Sequence, residues 1–392
     1  MNLKIIRLIL FFAILFCGCT KLVQQPLVKD KTNPGELTNI HVVNTPGAAK
    51  ITYTLPNDDD LLYVQANYSL QSGEKRVVKS SLYTNFVLIE GFADTMEHSI
   101  ELFAVDKSEN KSNPVQIKVQ PKSPPIQSVF KSIKVQSDFG GINIHFENPL
   151  ENEYVVNTFI LDSTGEWIRY DRLYTKAKER DYSIRGLPSK QTVFGIVVTD
   201  KWGNNTDTLQ KVLTPIYEEE LDKKQWTLIT TLPSDFLKLY NANSALTNLW
   251  DGLNNGPYAS TDRNTSILPS SFTIDLGQQY KLSRMKLFQY LDPDLGHAFL
   301  YANIRKCEIW GSNNLSDNWD NWTLLLQCES TKPSGLPYGE ATAEDKAYAA
   351  AGEDYSFPLN TPSVRYIRVK VLETWQKNNY FYFDEITLWG QK

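Results

Sequence analysis

The strongest constraint on the fold is a motif that occurs twice in the chain. Residues 104–110 read AVDKSEN, and 94 positions later residues 198–204 read VTDKWGN. Upstream of each copy, apolar residues match in order at an offset of 91, since Ile51, Tyr53 and Leu55 correspond to Ile142, Ile144 and Phe146. Two ordered matches at a nearly constant offset predict tandem copies of one domain.

Both copies consist of short segments in which apolar and polar residues alternate, separated by turn residues. Residues 50–55, 62–70 and 99–105 have this pattern, and residues 37–120 contain no helix-period segment of useful length. This spacing predicts two β-sandwiches of about 90 residues each, at 37–121 and 125–215. The acidic run at 218–222 predicts a solvated linker or a single helical turn over residues 216–225.

The amino terminus has the features of an export signal. Lys4 and Arg7 precede a wholly apolar run over residues 8–16, which is too short to span a bilayer as a helix. Residues 15–19, LFCGC, resemble a bacterial lipobox. We therefore predict a signal peptide over residues 1–18, lipidation of Cys19, and a flexible tether over 19–36 that joins a membrane anchor to the first domain. Signal cleavage without lipidation is the alternative.

Charge and histidine content exclude several classes of function. The formal net charge is -5, whereas a nucleic-acid-binding protein carries a basic face, so we expect no nucleic-acid partner. The four histidines form no metal-binding His-x-x-x-His motif, and the chain contains no nucleophile elbow. We therefore expect a protein that is not an enzyme.

The C-terminal segment, residues 226–392, carries a series of ordered motifs: LWDG at 249–252, SFTIDLG at 271–277, IWGSN at 309–313, WTLL at 322–325, an alternating strand at 365–371, and EITLWG at 385–390. In this order they resemble the discoidin, or factor five/eight type C, domains of the galactose-binding-like group. The repeated upstream domains resemble fibronectin type III and related immunoglobulin-like domains. With residues 332–335 and 373–375, the chain is similar to lipoproteins of gut Bacteroidetes.

This resemblance implies an all-β chain: two tandem immunoglobulin-like β-sandwiches followed by a discoidin-like jelly-roll β-sandwich. It also implies a structural Ca²⁺ held by Asp251 and Glu385, with Asn254 and Ser260 as further oxygen donors. In the alternative, Asp251 only caps a turn and Glu385 faces solvent.

The two cysteines of the C-terminal domain are predicted to be neighbours. If residues 322–327 return antiparallel to residues 309–313, Cys307 lies opposite Cys328. In an exported protein these residues either form a disulfide or remain two small buried thiols.

Sugar recognition requires an aromatic face for the C–H surface of the ring and polar groups for its hydroxyls. Two loops, 290–301 and 375–380, contain both. From the equivalent loops of related carbohydrate-binding modules, the predicted ligand residues are Asp292, His297, Arg305, Trp375, Asn378 and Tyr380. Tyr380 begins four consecutive aromatics, about half of which are expected to point into the core.

The resemblance implies a cell-surface lipoprotein of the outer membrane that binds a glycan, an oligo- or polysaccharide, and serves a polysaccharide-uptake system beside a TonB-dependent transporter. The alternative is a protein–protein interaction or adhesion module, or a structural subunit of an outer-membrane complex.

Overall fold

The computed structural model describes residues 30–235, 237–254, 256–292 and 294–392. The predicted signal peptide, Cys19 and the first part of the predicted tether lie outside these residues. Among the residues described, no helix is both long enough and apolar enough to cross a membrane. The architecture is all-β with three sandwich domains, which confirms the predicted fold class.

The first domain packs a three-stranded sheet, in the order β1-β2-β5, against a four-stranded sheet, β4-β3-β6-β7. Alternate residues of the strands are buried, and Ile51, Val64 and Leu102 meet between the two sheets. The strands are β1 (Thr38–Thr45), β2 (Ala48–Thr54), β3 (Leu61–Ser69), β4 (Lys75–Ser81), β5 (Phe86–Glu90), β6 (His98–Asp106) and β7 (Val115–Val119).

The second domain repeats this topology with sheets β12-β9-β8 and β11-β10-β13-β14. Ile142, Ile144 and Phe146 are fully buried, and of their counterparts in the first domain Ile51 and Tyr53 are buried while Leu55 is partly buried. The strands are β8 (Lys134–Asp138), β9 (Gly141–Glu147), β10 (Tyr154–Leu161), β11 (Trp167–Thr175), β12 (Glu179–Ile184), β13 (Thr192–Asp200) and β14 (Leu209–Leu213). One helix, α1 (Pro125–Ser132), was not expected from the sequence; it buries Ile126 and Val129, and its eight residues are too few to show a helical period.

The repeated motif forms the same turn in both domains. In the first, Asp106 Oδ1 accepts hydrogen bonds from the backbone N–H groups of Ser108 and Asn110 at 2.8 Å. In the second, Asp200 Oδ1 accepts from Trp202 and Asn204 at 2.9 Å. Each asparagine then donates its side-chain amide to the segment beside it.

These two amides have different partners. Asn110 Nδ2 donates to Asp30 Oδ1 at 2.9 Å and to the Thr32 carbonyl at 3.2 Å. Residues 30–36, expected to belong to a flexible tether, therefore lie along the first domain, where Pro34 is buried. Asn204 Nδ2 donates to the carbonyl of Gly91, so the second turn joins the first domain to the second.

The C-terminal domain is a jelly roll built around β18, a strand of nineteen residues. The first half of β18 pairs with β16 and β22, and the second half pairs with β21 and β24. Gly277, with φ +85°, lies where the strand passes from one sheet to the other. Strands β22 and β24 precede and follow the predicted ligand loop at 375–380. They are not neighbours in the sheet, because β18 lies between them.

The strands of this domain are β15 (Glu219–Glu220), β16 (Thr227–Ile229), β17 (Ala259–Ser260), β18 (Ser270–Phe288), β19 (Ile304–Ser312), β20 (Thr323–Glu329), β21 (Glu353–Ser356), β22 (Val364–Thr374), β23 (Tyr382–Phe383) and β24 (Glu385–Gln391). A second helix, α2, spans Ala343–Ala351, and 3-10 turns lie at Lys223–Gln225, Pro233–Asp235, Leu246–Trp250 and Trp319–Asn321.

Residues 216–225, predicted to be a solvated linker, are instead part of the C-terminal domain. β15 pairs with β24, and Leu221 is buried in the hydrophobic core. Glu218 contacts Arg185 of the second domain and Arg284 of the C-terminal domain, at 3.6 and 3.5 Å. The acidic run misled the prediction because one of its carboxylates, Glu218, has arginine partners in both domains.

Candidate functional site

A cluster of aromatic rings lies where three loops of the C-terminal domain meet. We call it the tyrosine cluster, and it consists of Tyr258, Tyr290, His297, Tyr301, Tyr380 and Tyr382. The ring centres of Tyr258 and Tyr290 are 4.0 Å apart. The Tyr382 ring lies edge-on to that of Tyr290, with 5.4 Å between the ring centres. His297 is 4.9 Å from Tyr301, with perpendicular ring planes, and Tyr380 is 6.5 Å from Tyr382.

Short backbone pairings hold these loops together. β17 pairs with β23, which brings the chain after Tyr258 beside Tyr382. The buried side chain of Asn303 accepts a hydrogen bond from Tyr290 N at 2.8 Å and donates to the carbonyls of Tyr290 and His297 at 3.0 and 2.9 Å. The loop over residues 290–301 is therefore fixed to the sandwich at both ends.

The four consecutive aromatics alternate as the sequence predicted. Phe381 and Phe383 are buried in the hydrophobic core, and Tyr380 and Tyr382 belong to the tyrosine cluster. Burial raises the pKa of Tyr290 and that of Tyr382, so both phenols stay protonated and can donate hydrogen bonds at neutral pH.

Two polar atoms in these loops are buried without a hydrogen-bond partner: Nδ1 of His297 and Oδ1 of Asn378. Buried polar atoms are normally paired, and each exception requires an explanation such as a functional role. Aromatic faces and unpaired polar atoms together make this end of the domain the strongest candidate for a binding site.

The structure divides the six predicted ligand residues. His297 and Tyr380 belong to the tyrosine cluster, and Asn378 lies in the loop before it. Asp292 shapes its own loop, since its carboxylate accepts from the backbone N–H of Gly296. Arg305 and Trp375 belong to a separate group.

That separate group is a small structural cluster. The Trp375 ring packs edge-on against the buried Phe299 at 5.3 Å, and its Nε1 donates to Ser330 Oγ at 3.2 Å. Arg305 lies over the Trp375 ring at 5.4 Å and pairs with Glu373 at 3.0 Å. Both side chains therefore have partners within the protein, Arg305 is still 34% exposed, and their assignment as ligand residues stays a prediction.

Of the predicted calcium ligands, Glu385 has a buried carboxylate, and the turn at Asp251 and Gly252 lies beside it. Its Oε1 contacts the ammonium of Lys223 and accepts from Gly252 N, while Oε2 is buried without a partner. Burial is the largest influence on this group and raises the pKa of Glu385 to about 7, against the opposing effect of Lys223.

The remaining predicted donors contribute unequally. Asp251 Oδ1 accepts from Leu253 N at 2.8 Å, which is the turn-capping role weighed as the alternative. Ser260 is buried, with its Oγ 3.4 Å from the Thr261 carbonyl, and Asn254 is exposed. The calcium site stays a prediction.

A different carboxylate group lies on the first domain, where oxygens of Asp30, Asp60 and Asp106 approach within 4.8 Å. A hydrogen bond with Asp58 is the largest of the influences that raise the pKa of Asp60 to about 6. Asp106 is fully engaged, because both its oxygens accept from the turn that follows it.

Cys307 and Cys328 are direct register partners on β19 and β20. Both side chains are buried free thiols in the structure. A hydrogen bond with Cys307, followed by burial, raises the pKa of the Cys328 thiol, so it stays protonated.

Sequence reasoning missed Tyr258, Tyr382 and Arg263, whose guanidinium lies 5.5 Å from the centre of the Tyr380 ring, and did not single out Tyr290 and Tyr301. Tyr290 and Tyr301 are the first and last residues of the predicted 290–301 loop, so their position in the sequence could have identified them as site residues. Tyr258 and Arg263 lie more than 100 positions before Tyr380, and nothing in the sequence shows that the two loops converge.

Three family models match consecutive parts of the chain. All are described as domains of unknown function: DUF4959 over residues 34–121, DUF5126 over 122–224 and DUF5000 over 250–390. A search of curated proteins found no match.

Among solved structures, a SusE-like protein is 30% identical; the match covers 68% of this chain and 99% of that one, with a TM-score of 0.44. A putative chitobiase fragment from Bacteroides thetaiotaomicron is 20% identical over 44% of this chain and 93% of that one, with a TM-score of 0.32. A CBM32 module of a GH31 protein, bound to GalNAc, is 12% identical over 42% and 97%, with a TM-score of 0.28.

Proposed function

The chain belongs to the family of SusE-like proteins, and from this premise we propose that it is a non-catalytic cell-surface protein that binds glycan through its C-terminal domain. The observation that supports this most directly is the tyrosine cluster. Its rings offer faces to the C–H surface of a sugar, and unpaired polar atoms on His297 and Asn378 lie in the same loops.

The two N-terminal sandwiches act as a spacer in this proposal. Gly91 and Asn204 join them directly, and Glu218 contacts both the second domain and the C-terminal domain. An anchor at Cys19 would place the binding domain at the far end of this spacer from the outer membrane. There it would concentrate polysaccharide beside a TonB-dependent transporter without cleaving it.

The test is isothermal titration calorimetry of the full chain against a panel of plant and host oligosaccharides. His297→Ala, which removes one ring and the unpaired nitrogen, is expected to weaken binding at least tenfold, equivalent to about 1.4 kcal/mol. Tyr83→Ala on the first domain is the control, because Tyr83 is 90% exposed and lies outside the cluster. A folded protein that binds no member of the panel would contradict the proposal.

A second candidate function is contact with another protein, and one observation favours it. The edge strand β11 exposes four large apolar side chains, Trp167, Ile168, Tyr170 and Tyr174. Exposed edge strands with apolar residues are surfaces that other chains can pair with. Ile168→Lys would remove a membrane partner from co-purification if this function is correct, and would leave glycan binding unchanged.

A further inference from the structure

Arg263 lies beside the tyrosine cluster with its charge unused by the protein. Its guanidinium is 5.2 Å from the ring of Tyr240 and 5.5 Å from the ring of Tyr380. The side chain is exposed, and its two aromatic neighbours restrict it without neutralising it.

The carboxylate of the preceding residue, Asp262, is occupied elsewhere. Asp262 Oδ1 accepts from Asn264 N and Thr265 N at 3.0 and 2.9 Å, which forms a turn. Within the described part of the chain, no carboxylate pairs with Arg263, although most other arginines of this domain, such as Arg305 and Arg365, have such a partner.

We propose that Arg263 selects a glycan that carries carboxylate groups, such as one containing uronic acid; this inference rests on the proposed function of the tyrosine cluster. A guanidinium presents two parallel N–H groups that match the two oxygens of a carboxylate, and such pairs are stronger than neutral hydrogen bonds. With Tyr380 in both the cluster and the arginine contact, one sugar ring can stack on an aromatic face while its carboxylate reaches Arg263.

The test uses two polymers with the same backbone and different charge: polygalacturonate and its methyl-esterified form. Binding of each to the full chain is measured by calorimetry at low and high salt. Wild type is expected to prefer the charged polymer, with a preference that falls as salt rises. Arg263→Gln is expected to lower affinity for the charged polymer about tenfold or more and to leave the esterified one nearly unchanged.

Arg172→Gln is the matched control, because Arg172 also lies over a tyrosine ring, that of Tyr174 at 5.9 Å, but in the second domain. Equal affinity for the two polymers, or a preference that survives Arg263→Gln, overturns the inference while glycan binding itself stands. Binding to neither polymer, nor to any neutral glycan, overturns the proposed function and this inference with it.

An independent observation concerns the buried carboxylate of Glu385. The ammonium of Lys223 donates to Glu385 Oε1 and to Thr387 Oγ1, the latter at 2.8 Å. Glu385 is 1% exposed, and Lys223 reaches it from the segment that joins the second domain to the C-terminal domain. The carboxylate that a structural cation would bind thus already has a cation from the chain itself.

We infer that Lys223 takes the place of the structural Ca²⁺ that the resemblance to discoidin domains implies at this position. A calcium ion requires six to eight oxygen ligands, whereas an ammonium needs only a few acceptors and suits a site with one buried carboxylate and one hydroxyl. The same contact holds residues 223–225 against β24, the last strand. Lys223 therefore also attaches the start of the C-terminal domain to its sheet.

Thermal unfolding of the full chain, with millimolar Ca²⁺ or with chelator, tests this inference. Wild type is expected to have the same midpoint in both, and Lys223→Met, which keeps the apolar stem, is expected to lower it. Lys224→Met is the control, since Lys224 is exposed. A wild-type midpoint that rises with Ca²⁺ and falls with chelator, or an unchanged midpoint in Lys223→Met, overturns the inference.

Discussion

Arg368 and Asp235 form an ion pair inside the C-terminal domain, 2.6 Å apart, with side chains 0% and 3% exposed. Asp235 also accepts from Ser271 Oγ at 2.5 Å, and the Arg368 guanidinium lies 4.0 Å from the ring centre of Trp319. The pair joins strand β22 to the segment before β18 and closes one face of the sandwich.

Because Arg368 is buried, we predict that its substitution lowers the free energy of unfolding far more than substitution of Arg365 on the same strand. Arg368→Gln leaves the Asp235 carboxylate buried without its cation, and we expect a loss of about 3–5 kcal/mol in the free energy of unfolding. The side chain of Arg365, which pairs with Asp275, is 45% exposed. The expected loss for Arg365→Gln is therefore about 0–1 kcal/mol. Urea unfolding followed by tryptophan fluorescence measures both, and equal losses would contradict the prediction.

The sequence predicted this strand but not the role of Arg368. Alternation over residues 365–371 indicated one wet face, because a charged residue at every second or third position normally faces solvent. The covering segment, at 234–235 and 319, is distant in sequence. The core was predictable from apolar periodicity, and this buried charge was not, because its partner comes from another part of the chain.

The same reason limits prediction of the site. His297 and Tyr380 could be predicted as ligand residues because each lies in a loop with its own mixture of aromatic and polar residues. The convergence of Tyr258 and Tyr382 depends on the pairing of two-residue strands, β17 and β23, which carry no periodicity. Trp375 looked equivalent to Tyr380 in sequence, and only packing against Phe299 separates the two.

The turn before helix α2 is predicted to weaken in acid. Burial tends to raise the pKa of Asp345, but hydrogen bonds from Ser334 and Thr342 outweigh it and hold the pKa at about 2. A carboxyl group with a lowered folded-state pKa stabilises the fold above its ordinary value near 4, and that contribution is lost as pH falls toward 2. Unfolding free energy measured across this window should fall less steeply for Asp345→Asn than for wild type. Parallel curves would contradict the prediction.

The repeated turn provides a matched pair of asparagines. Asn204→Ala removes the hydrogen bond to Gly91 and is expected to loosen the joint between the first and second domains, at a cost of about 0.5–1.5 kcal/mol. Each variant also loses the amide hydrogen bond to the aspartate of its own turn. Beyond that bond, Asn110→Ala removes contacts to residues 30–32, so the joint should keep its geometry. Small-angle X-ray scattering compares the two, and a larger radius of gyration is expected for Asn204→Ala alone. The same increase in both variants would count against this assignment.

Trp375 and Tyr301 are predicted to respond in opposite ways to truncation. Trp375→Ala removes the ring that packs on Phe299 and is expected to cost about 3 kcal/mol of unfolding free energy, at the lower end for a packed aromatic. Its affinity for glycan should be unchanged, because Trp375 lies outside the tyrosine cluster. Tyr301, 42% exposed, contacts His297, so Tyr301→Ala should cost less than about 1 kcal/mol of stability but weaken glycan binding about tenfold. Calorimetric titration and urea unfolding of the same two variants separate these effects. A loss of affinity in folded Trp375→Ala, with none in Tyr301→Ala, would move the site to the structural cluster around Phe299.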